Sequence, residues 1–339
     1  MKKTLVALAA LAAVGTASAQ STVTLYGVAD VWLGSTKTET LTGGNLTGTR
    51  LTKLDSGGYN GSRFGLRGTE DLGGGLKANF VLEQGITVDD GKMADTKDFR
   101  QFNRQAYVGF SGGFGEVRLG RQYTAYDTLR GATNHSFDTA FAATSSVWGK
   151  GIADYTSRVD NQITYISPDF SGFSGALTYG LGENKTATTS ATDTTAVHLK
   201  YAAGPLLVGV AYQQQEISNT VDRTHTLLAG SYDFGMAKVT AGFNRAKEDG
   251  VGKDNEYQLG VDFPVAANAR IALGYAYAKK KNAAGASLGK TDGYSLTGYY
   301  DLSKRTRLYA GLRNYQDKNA AGVKTEKGNL YAIGVRHSF

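Results

Sequence analysis

The sequence has no cysteine, only three prolines in 339 residues, and no long apolar run after its first twenty residues. Without cysteine there is no disulfide framework, no thiolate metal site and no cysteine nucleophile. A transmembrane helix needs about 18 or more consecutive apolar residues. Because no such run occurs beyond residue 20, any crossing of a membrane must be made by β-strands.

Glycine and aromatic residues are abundant instead, with 45 Gly, 20 Tyr and 14 Phe. Lysine and arginine number 37 against 30 acidic residues, a formal net charge of +7. An aromatic-rich chain of modest net charge can bury surface, so disorder is not expected. Mild basicity alone is no signature of nucleic-acid binding, and we expect no nucleic-acid partner.

The first nineteen residues have the pattern of a cleaved signal peptide. Lys2 and Lys3 precede an apolar stretch over residues 4–15, and small residues follow it. The apolar stretch is too short to span a bilayer. We therefore expect residues 1–19 to be a signal peptide, and residues 20–339 to be one exported β-barrel domain.

Beyond the leader, short segments alternate apolar with small, polar or charged residues, the period of a β-strand. In residues 271–277, for example, Ile, Leu and Tyr alternate with Ala and Gly. Sixteen such segments occur, with centres near residues 28, 66, 81, 106, 119, 163, 177, 199, 209, 229, 241, 260, 274, 297, 310 and 334. An even number fits an antiparallel barrel whose two terminal strands pair with each other.

The predicted connections are alternately short and long. Seven are short, at residues 71–74, 111–115, 167–172, 203–205, 233–235, 264–268 and 301–305. Eight are long, at residues 35–60, 87–99, 123–157, 182–195, 214–222, 246–254, 279–292 and 316–328. Pro168, Pro205 and Pro264 all fall in short connections, where they would interrupt no ladder. A soluble sandwich gives no reason for this alternation, so we predict an all-β fold, a 16-stranded antiparallel transmembrane barrel.

Four stretches, residues 23–33, 62–80, 104–123 and 334–339, resemble the Gram-negative general porin family in its β-proteobacterial branch. The resemblance covers the whole chain. It implies a homotrimer in the outer membrane, each barrel a passive channel for small hydrophilic solutes, with the third long loop folded into the lumen. The partners implied are outer-membrane lipid, lipopolysaccharide, the barrel-assembly machinery and small anionic or neutral solutes.

Residues 123–157, the longest connection, fit the role of that third loop. In similar porins the loop carries acidic groups that face arginines on the barrel wall. The match to the family pattern makes Arg63, Arg104 and Arg158 the wall arginines, and Asp127 and Asp138 the opposing loop carboxylates.

Periodicity places some of these side chains independently. With apolar neighbours facing outward, the alternation points Arg63, Arg67 and Arg158 inward, and the same reasoning extends to Lys77. The alternation leaves the face of Arg104 open. An arginine in mid-strand on a lipid face would cost roughly 2–4 kcal/mol, so inward is the cheaper direction. The resulting lumen is net basic, which predicts mild anion selectivity.

The chain ends in Phe339, with His337 and Tyr331 at alternating positions before it. This ending resembles the strand that the outer-membrane assembly machinery recognises. An alternative is that Phe339 packs only as part of an aromatic girdle at the membrane surface. Both interpretations place the last strand in the barrel.

No catalytic set is evident. The serine of Gly109, Ser111 and Gly113 lies in a strand-to-strand turn, whereas the hydrolase elbow needs a strand-to-helix turn. The four histidines are scattered without ligand spacing, so we expect no metal or other cofactor and no enzyme activity. Three alternatives to a general porin stay open: a substrate-specific channel, an outer-membrane barrel enzyme and a secreted soluble β-protein such as an adhesin.

Overall fold

The structure is a computed structural model that describes residues 22–94 and 100–339. The predicted signal peptide at residues 1–19 lies outside the described residues, as does part of the predicted second long connection at residues 87–99. No helix among the described residues is both long and apolar enough to span a membrane.

Strands dominate the described chain. Their bounds are β1 Thr22–Thr42, β2 Asn45–Thr47, β3 Arg50–Ser56, β4 Arg63–Gly73, β5 Leu76–Gly85, β6 Gln105–Gly112, β7 Gly115–Tyr123, β8 Arg158–Ile166, β9 Phe173–Gly180, β10 Thr194–Ala203, β11 Leu206–Ser218, β12 Val221–Asp233, β13 Lys238–Glu248, β14 Gly252–Ala266, β15 Ala269–Asn282, β16 Ser287–Asp301, β17 Thr306–Asn319 and β18 Lys324–Ser338. Every sequence-derived segment centre falls within one of them.

The sheet closes on itself through its first and last strands. β1 pairs with β18 on one side, and with β2, β3 and β4 in turn on the other. These three short strands therefore follow one another along a single strand position in the wall. When they are counted as one strand, the 18 strands form a closed 16-stranded antiparallel barrel, as the sequence predicts.

Exposed and buried side chains alternate along many strands of the wall. On β15 the side chains of Ile271, Leu273 and Tyr275 are exposed, whereas the alternate residues Ala272 and Ala276 are buried. Large apolar side chains recur on the exposed outer face of most strands, which is the pattern of a barrel whose outside contacts lipid.

All seven short connections are present at one end of the barrel, called here the turn end. At the opposite, loop end, four predicted long connections are wrong. Residues 214–222, 246–254, 279–292 and 316–328 are mostly strand, and their turns shrink to residues 219–220, 249–251, 283–286 and 320–323. Backbone ladders persist there with polar side chains on both faces, so apolar alternation no longer marks the strand.

Two further expectations change at the ends of strands. Residues 35–60 are not a loop, because β1 continues to Thr42 and β2 and β3 fold back onto it. Pro264 lies within β14 rather than in the turn, at a register shift between Pro264 and Ala266. A bulge at a strand end accommodates a residue that has no backbone N–H.

Candidate functional site

The long connection between β7 and β8 carries its own structure. It contains helix α1 Ala125–Ala132, a 3₁₀ turn Ser136–Asp138 and helix α2 Thr144–Val147. Thr124 begins α1: its Oγ1 accepts a hydrogen bond from the Asp127 backbone N–H at 3.2 Å. The same hydroxyl donates to Gln213 Oε1 on β11 at 2.8 Å, so the helix start is attached directly to the wall.

The rest of the connection bonds to buried side chains of strands distant in sequence. The Tyr126 hydroxyl donates to Asn244 Oδ1 at 2.8 Å, and the Gly149 N–H donates to Glu256 Oε1 at 2.8 Å. Ser136 and Ser295 hydroxyls lie 2.8 Å apart. These partners alternate with the exposed, lipid-type residues of their strands. The connection therefore lies against the inner face of the barrel.

Small residues on that inner face receive the large side chains of the connection. A Cβ at Gly311 would lie 2.3 Å from the Phe141 ring, and one at Gly260 would lie 2.3 Å from His135 Cβ. Phe141 is fully buried. Part of the glycine and alanine content of the inward positions is thus explained by how closely the connection approaches the wall.

His135 uses one ring nitrogen to join the connection to the wall and the other to hold the connection's own backbone. Its Nδ1 lies 3.0 Å from Gln258 Oε1, and its Nε2 accepts a hydrogen bond from the Ala143 N–H at 2.9 Å. Burial lowers the pKa of His135 to about 4. The ring is therefore neutral near pH 7, with the proton on Nδ1.

The three arginines implied by the resemblance lie together. Arg104 Nε is 2.7 Å and Arg63 Nε is 3.3 Å from the carboxylate of Glu83. The hydroxyl of Tyr123 accepts hydrogen bonds from Arg104 Nη2 at 2.7 Å and from Arg158 Nη2. Arg158 also stacks 4.1 Å from the centre of the Tyr123 ring. One carboxylate and one phenol thus hold three guanidinium groups, which we call the arginine cluster.

On the connection, Asp127 accepts a hydrogen bond from the Tyr155 hydroxyl at 2.6 Å. Arg130 stacks 5.0 Å from the Tyr155 ring and 5.2 Å from the Trp148 ring, and its Nη2 lies 3.3 Å from Asp154. Burial raises the pKa of Asp127, opposed by the Tyr155 hydrogen bond and by the charges of Arg158 and Arg130. Asp127 is therefore within the electrostatic influence of the arginine cluster.

Three predicted site residues are not brought to the cluster. Lys77 is six residues along β5 from Glu83, about 20 Å at the usual rise, beside the turn end. Arg67 stacks on Tyr26 and lies four residues from Arg63 on β4. Asp138 accepts from Asn134 Nδ2 at 2.7 Å and lines a cavity of about 210 Å³.

That cavity lies between the 3₁₀ turn and the strands β13 and β14, whose Lys238 and Asp262 are among its lining residues. Ser136, Phe137 and Asp138 all have positive φ, so the chain turns sharply there. The turn directs Asp138 toward a different wall from the arginines, which sequence alone could not reveal.

A buried carboxylate in β1 fixes the far end of the connection. Asp30 accepts hydrogen bonds from the backbone N–H groups of Gly58, Tyr59 and Asn60, at 2.9, 3.0 and 2.7 Å. The carbonyl of Gly58 then accepts from the Ala140 N–H at 3.1 Å. Asp30 therefore holds the segment that in turn holds the tip of the connection.

Among the residues that sequence reasoning assigned no site role are Tyr123 and Tyr155. Each is a single aromatic residue at or beyond a strand end, and no spacing distinguishes it from the other tyrosines. Their function in the site follows only from the arginines that the fold brings to them.

The predicted assembly signal lies on the outer face of β18 and at the residue that follows it. Tyr331, His337 and Phe339 are all exposed there. The backbone of Phe339 exchanges two hydrogen bonds with Gly27 of β1, at 3.0 and 3.1 Å, which extends the pairing of the first and last strands. Recognition of this strand by an assembly machinery stays a prediction.

A closed antiparallel barrel with an apolar outside, a polar inside and a connection laid across its interior defines the class of transmembrane β-barrel channels. Comparisons with known proteins agree. The model of the Gram-negative porin family matches residues 5–320. The chain belongs to that family, and it is an outer-membrane porin.

Two relatives illustrate the similarity in sequence. The chain is 37% identical to outer membrane porin protein 32 of Delftia acidovorans, over 83% of this chain and 81% of that protein. It is 34% identical to an outer membrane porin protein of Bordetella pertussis, over 78% of this chain and 74% of that protein.

Two solved structures illustrate the similarity in fold. An anion-selective porin from Comamonas acidovorans matches with a TM-score of 0.79 and 31% identity, over 94% of this chain and 100% of that one. OmpT of Vibrio cholerae matches with a TM-score of 0.71 at 18% identity, over 96% and 99%, a likeness of fold alone.

Proposed function

We propose that this porin is a general diffusion channel with a mild preference for anions, and that the arginine cluster and the β7–β8 connection form its constriction. The observation that carries the proposal is the charge of the cluster. Arg63, Arg104 and Arg158 are held by the single carboxylate of Glu83 and the hydroxyl of Tyr123. Three positive charges against one negative charge on the wall favour anions in a narrow aqueous passage.

The facing connection reduces this excess without removing it. Asp127 and Asp154 add two negative charges, and Arg130 adds one positive charge. The arginine cluster with Glu83, together with Asp127, Asp154 and Arg130, then carries four cations and three carboxylates. A remaining excess of one positive charge supports a mild rather than a strong preference. The similarity to a porin described as anion-selective is in the same direction.

The test is the reversal potential of the purified porin in a planar bilayer under a tenfold KCl gradient. Anion selectivity gives a reversal potential of the sign set by the chloride gradient, and a clear cation preference would overturn the proposal. Conductance that rises without saturation for chloride and for small organic anions supports a general channel. Saturable flux of one solute class would favour a substrate-specific channel instead.

We further propose three properties of the whole protein on the resemblance to porins: cleavage of residues 1–19, assembly through a C-terminal strand that ends in Phe339, and a homotrimer in contact with outer-membrane lipopolysaccharide. A related fold, OmpT, is described in a trimer form. Mass measurement of the exported chain tests the cleavage, and crosslinking of the folded protein before and after heating tests the trimer.

A further inference from the structure

A further polar cavity, which we call the α1 pocket, lies between helix α1 and the inner face of strands β6–β10. Its volume is about 330 Å³, at the small end of the range of roughly 300–1,000 Å³ for small-molecule sites. Its lining runs from Gln105 and Tyr123, beside the arginine cluster, to Ser167 and Asp169 in a short connection of the turn end. Among the residues that line it, only Tyr123 also belongs to the arginine cluster.

Helix α1 closes the α1 pocket on one side and fixes a histidine there. The carbonyl of Ala125, the first residue of the helix, accepts a hydrogen bond from His198 Nδ1 at 2.7 Å. A carbonyl can only accept, so Nδ1 carries the proton, and Nε2 of the neutral ring is an acceptor. His198 is 5% exposed and lines the pocket. Within residues 22–94 and 100–339, no protein group donates to His198 Nε2.

Gln122 presents a second buried acceptor. Its side chain is 1% exposed and lines the same pocket. Its Nε2 donates to the Gly120 carbonyl at 3.3 Å, whereas its Oε1 is buried and has no hydrogen-bond partner in the described part of the chain. A buried acceptor without a donor is unfavourable, and folded proteins rarely leave one unpaired. The pocket thus places two acceptors where the hydroxyl groups of a bound molecule would satisfy them.

The α1 pocket also contains one cation that the protein does not neutralise. Lys200 lies on the inner face of β10 and, among the residues that the structure describes, forms no ion pair. The other cation of the lining, Arg118, is already paired with Glu116 at 2.8 Å. The carboxylate of the lining, Asp169, is exposed at the turn end, where it accepts a hydrogen bond from the Gly172 N–H at 2.9 Å. The unpaired charge in the pocket is therefore a single positive one.

We propose that the α1 pocket binds a polyhydroxylated carboxylate with one negative charge, the class of the sugar acids. The carboxylate of the solute pairs with Lys200, and its hydroxyl groups donate to Gln122 Oε1 and His198 Nε2. Ile166 and Ala176, in the same lining, offer apolar surface to its carbon chain. The proposal adds one subsite to the proposed channel. It rests on the access of solutes to the lumen, but not on the preference for anions.

The experiment is a ligand-observed NMR titration of the folded porin in deuterated detergent. Gluconate carries hydroxyl groups and a carboxylate, glucitol carries only the hydroxyl groups, and acetate carries only the carboxylate. Gluconate should bind saturably and about tenfold more tightly than glucitol or acetate, because each of these lacks one set of contacts. Absence of saturable gluconate binding overturns the proposal, and so does equally tight binding of glucitol or of acetate.

Two substitutions test the assigned contacts. Lys200→Gln should weaken gluconate binding about tenfold and leave glucitol binding unchanged, because only gluconate carries the charge that pairs with Lys200. Gln122→Leu should weaken the binding of both molecules about fivefold, because both donate a hydroxyl group to its Oε1. The matched control, Lys77→Gln, removes a lysine near the turn end that does not line the pocket. An equal loss of gluconate binding in the control would mean that only overall charge matters, and would overturn the proposal.

Folding and ion selectivity are checked separately. Heat-modifiable migration on a gel shows that each variant is folded, and the comparison of gluconate, glucitol and acetate needs only the wild type. Gluconate binding is measured without an ion gradient, and the reversal potential is measured in KCl without gluconate. Conductance in chloride or acetate should still rise without saturation, because neither anion carries a hydroxyl group. A failed binding test therefore leaves the proposed anion preference untouched, and a failed selectivity test leaves the α1 pocket untouched.

Discussion

The Tyr309 hydroxyl donates a hydrogen bond to the Asp30 carboxylate at 2.5 Å, across 279 positions of sequence and from β17 to β1. Both residues are buried. The same carboxylate accepts hydrogen bonds from the backbone N–H groups of residues 58–60. In this segment the centre of the Tyr59 ring lies 6.2 Å from the centre of the Phe137 ring in the β7–β8 connection. This one contact therefore couples closure of the barrel to the position of the connection inside it.

We expect the substitution Tyr309→Phe to loosen this coupling. A hydrogen bond to a charged group contributes about 1.5–3 kcal/mol, and the free energy of unfolding in detergent should fall by that amount. Current through single channels should also become noisier, because the tip of the connection is held less firmly. Tyr299→Phe is the control, since no hydrogen bond of its hydroxyl is found among the described residues. Equal effects of the two substitutions would contradict the prediction.

Removal of arginine charge should reduce the preference for anions. In Arg63→Ser and Arg158→Ser, one unit charge is lost at the arginine cluster. At about 8 Å in water, such a charge stabilises an anion and destabilises a cation by roughly 0.5 kcal/mol each. The anion-to-cation permeability ratio should therefore fall by about 1 kcal/mol, or about fivefold, for each substitution. Reversal potentials measure the ratio.

Lys77→Ser provides the matched control for these substitutions. It removes the same charge about 20 Å along the wall from Glu83, and its effect should be clearly smaller. A larger effect at Lys77 than at Arg63 would place the selective region near the turn end instead.

Acidification should weaken the hydrogen bonds by which His135 holds the β7–β8 connection in place. Its pKa is lowered from 6.5 to about 4, so between these values the unfolded chain binds a proton that the folded chain does not. The contribution of neutral His135 to stability is complete above pH 6.5 and is lost as the pH falls toward 4, about 3 kcal/mol in all. A protonated Nε2 can no longer accept the Ala143 N–H.

Hydrogen exchange at the Ala143 amide, corrected for its intrinsic rate, should therefore accelerate between pH 6.5 and pH 4. His135→Gln should remove this dependence on pH. The exposed residue His337 supplies the control, because His337→Gln should leave it unchanged. The prediction is wrong if the amide of the wild type stays equally protected across this range.

Deletion of Phe339 should impair assembly far more than conduction. The backbone of Phe339 closes the barrel against Gly27, and its ring lies on the outer face, away from the lumen. The amount of heat-modifiable porin in the outer membrane should fall severalfold, while the channels that do form should conduct normally. Phe234→Ala, at another exposed aromatic of the turn end, is the control. Normal accumulation without Phe339 would refute the assembly role.

The alternation of apolar and polar side chains was enough to predict the barrel, its sixteen strand positions and its seven short turns. Period-two patterns report directly which face of a strand meets lipid, because that face must be apolar along its whole membrane depth. Beyond the membrane, this period-two pattern no longer marks the strands. Strands β11–β18 extend into hairpins there, since water solvates both faces and imposes no pattern.

Part of the candidate site could likewise be predicted from the sequence, and the rest required the tertiary structure. Alternation along the chain was sufficient to point Arg63 and Arg158 inward, and to place the longest connection after the fifth predicted strand, which is β7. Only the tertiary structure shows that Arg104 and Arg63 share the carboxylate of Glu83, and that the Tyr123 hydroxyl joins Arg104 to Arg158. It also shows that Asp138 lies at another wall of the barrel. Lys77 lies near the turn end. Closure of the barrel brings together residues from strands that are distant in sequence. Because the lumen is wide enough to hold the connection, one sharp turn in the connection determines which wall each of its side chains contacts.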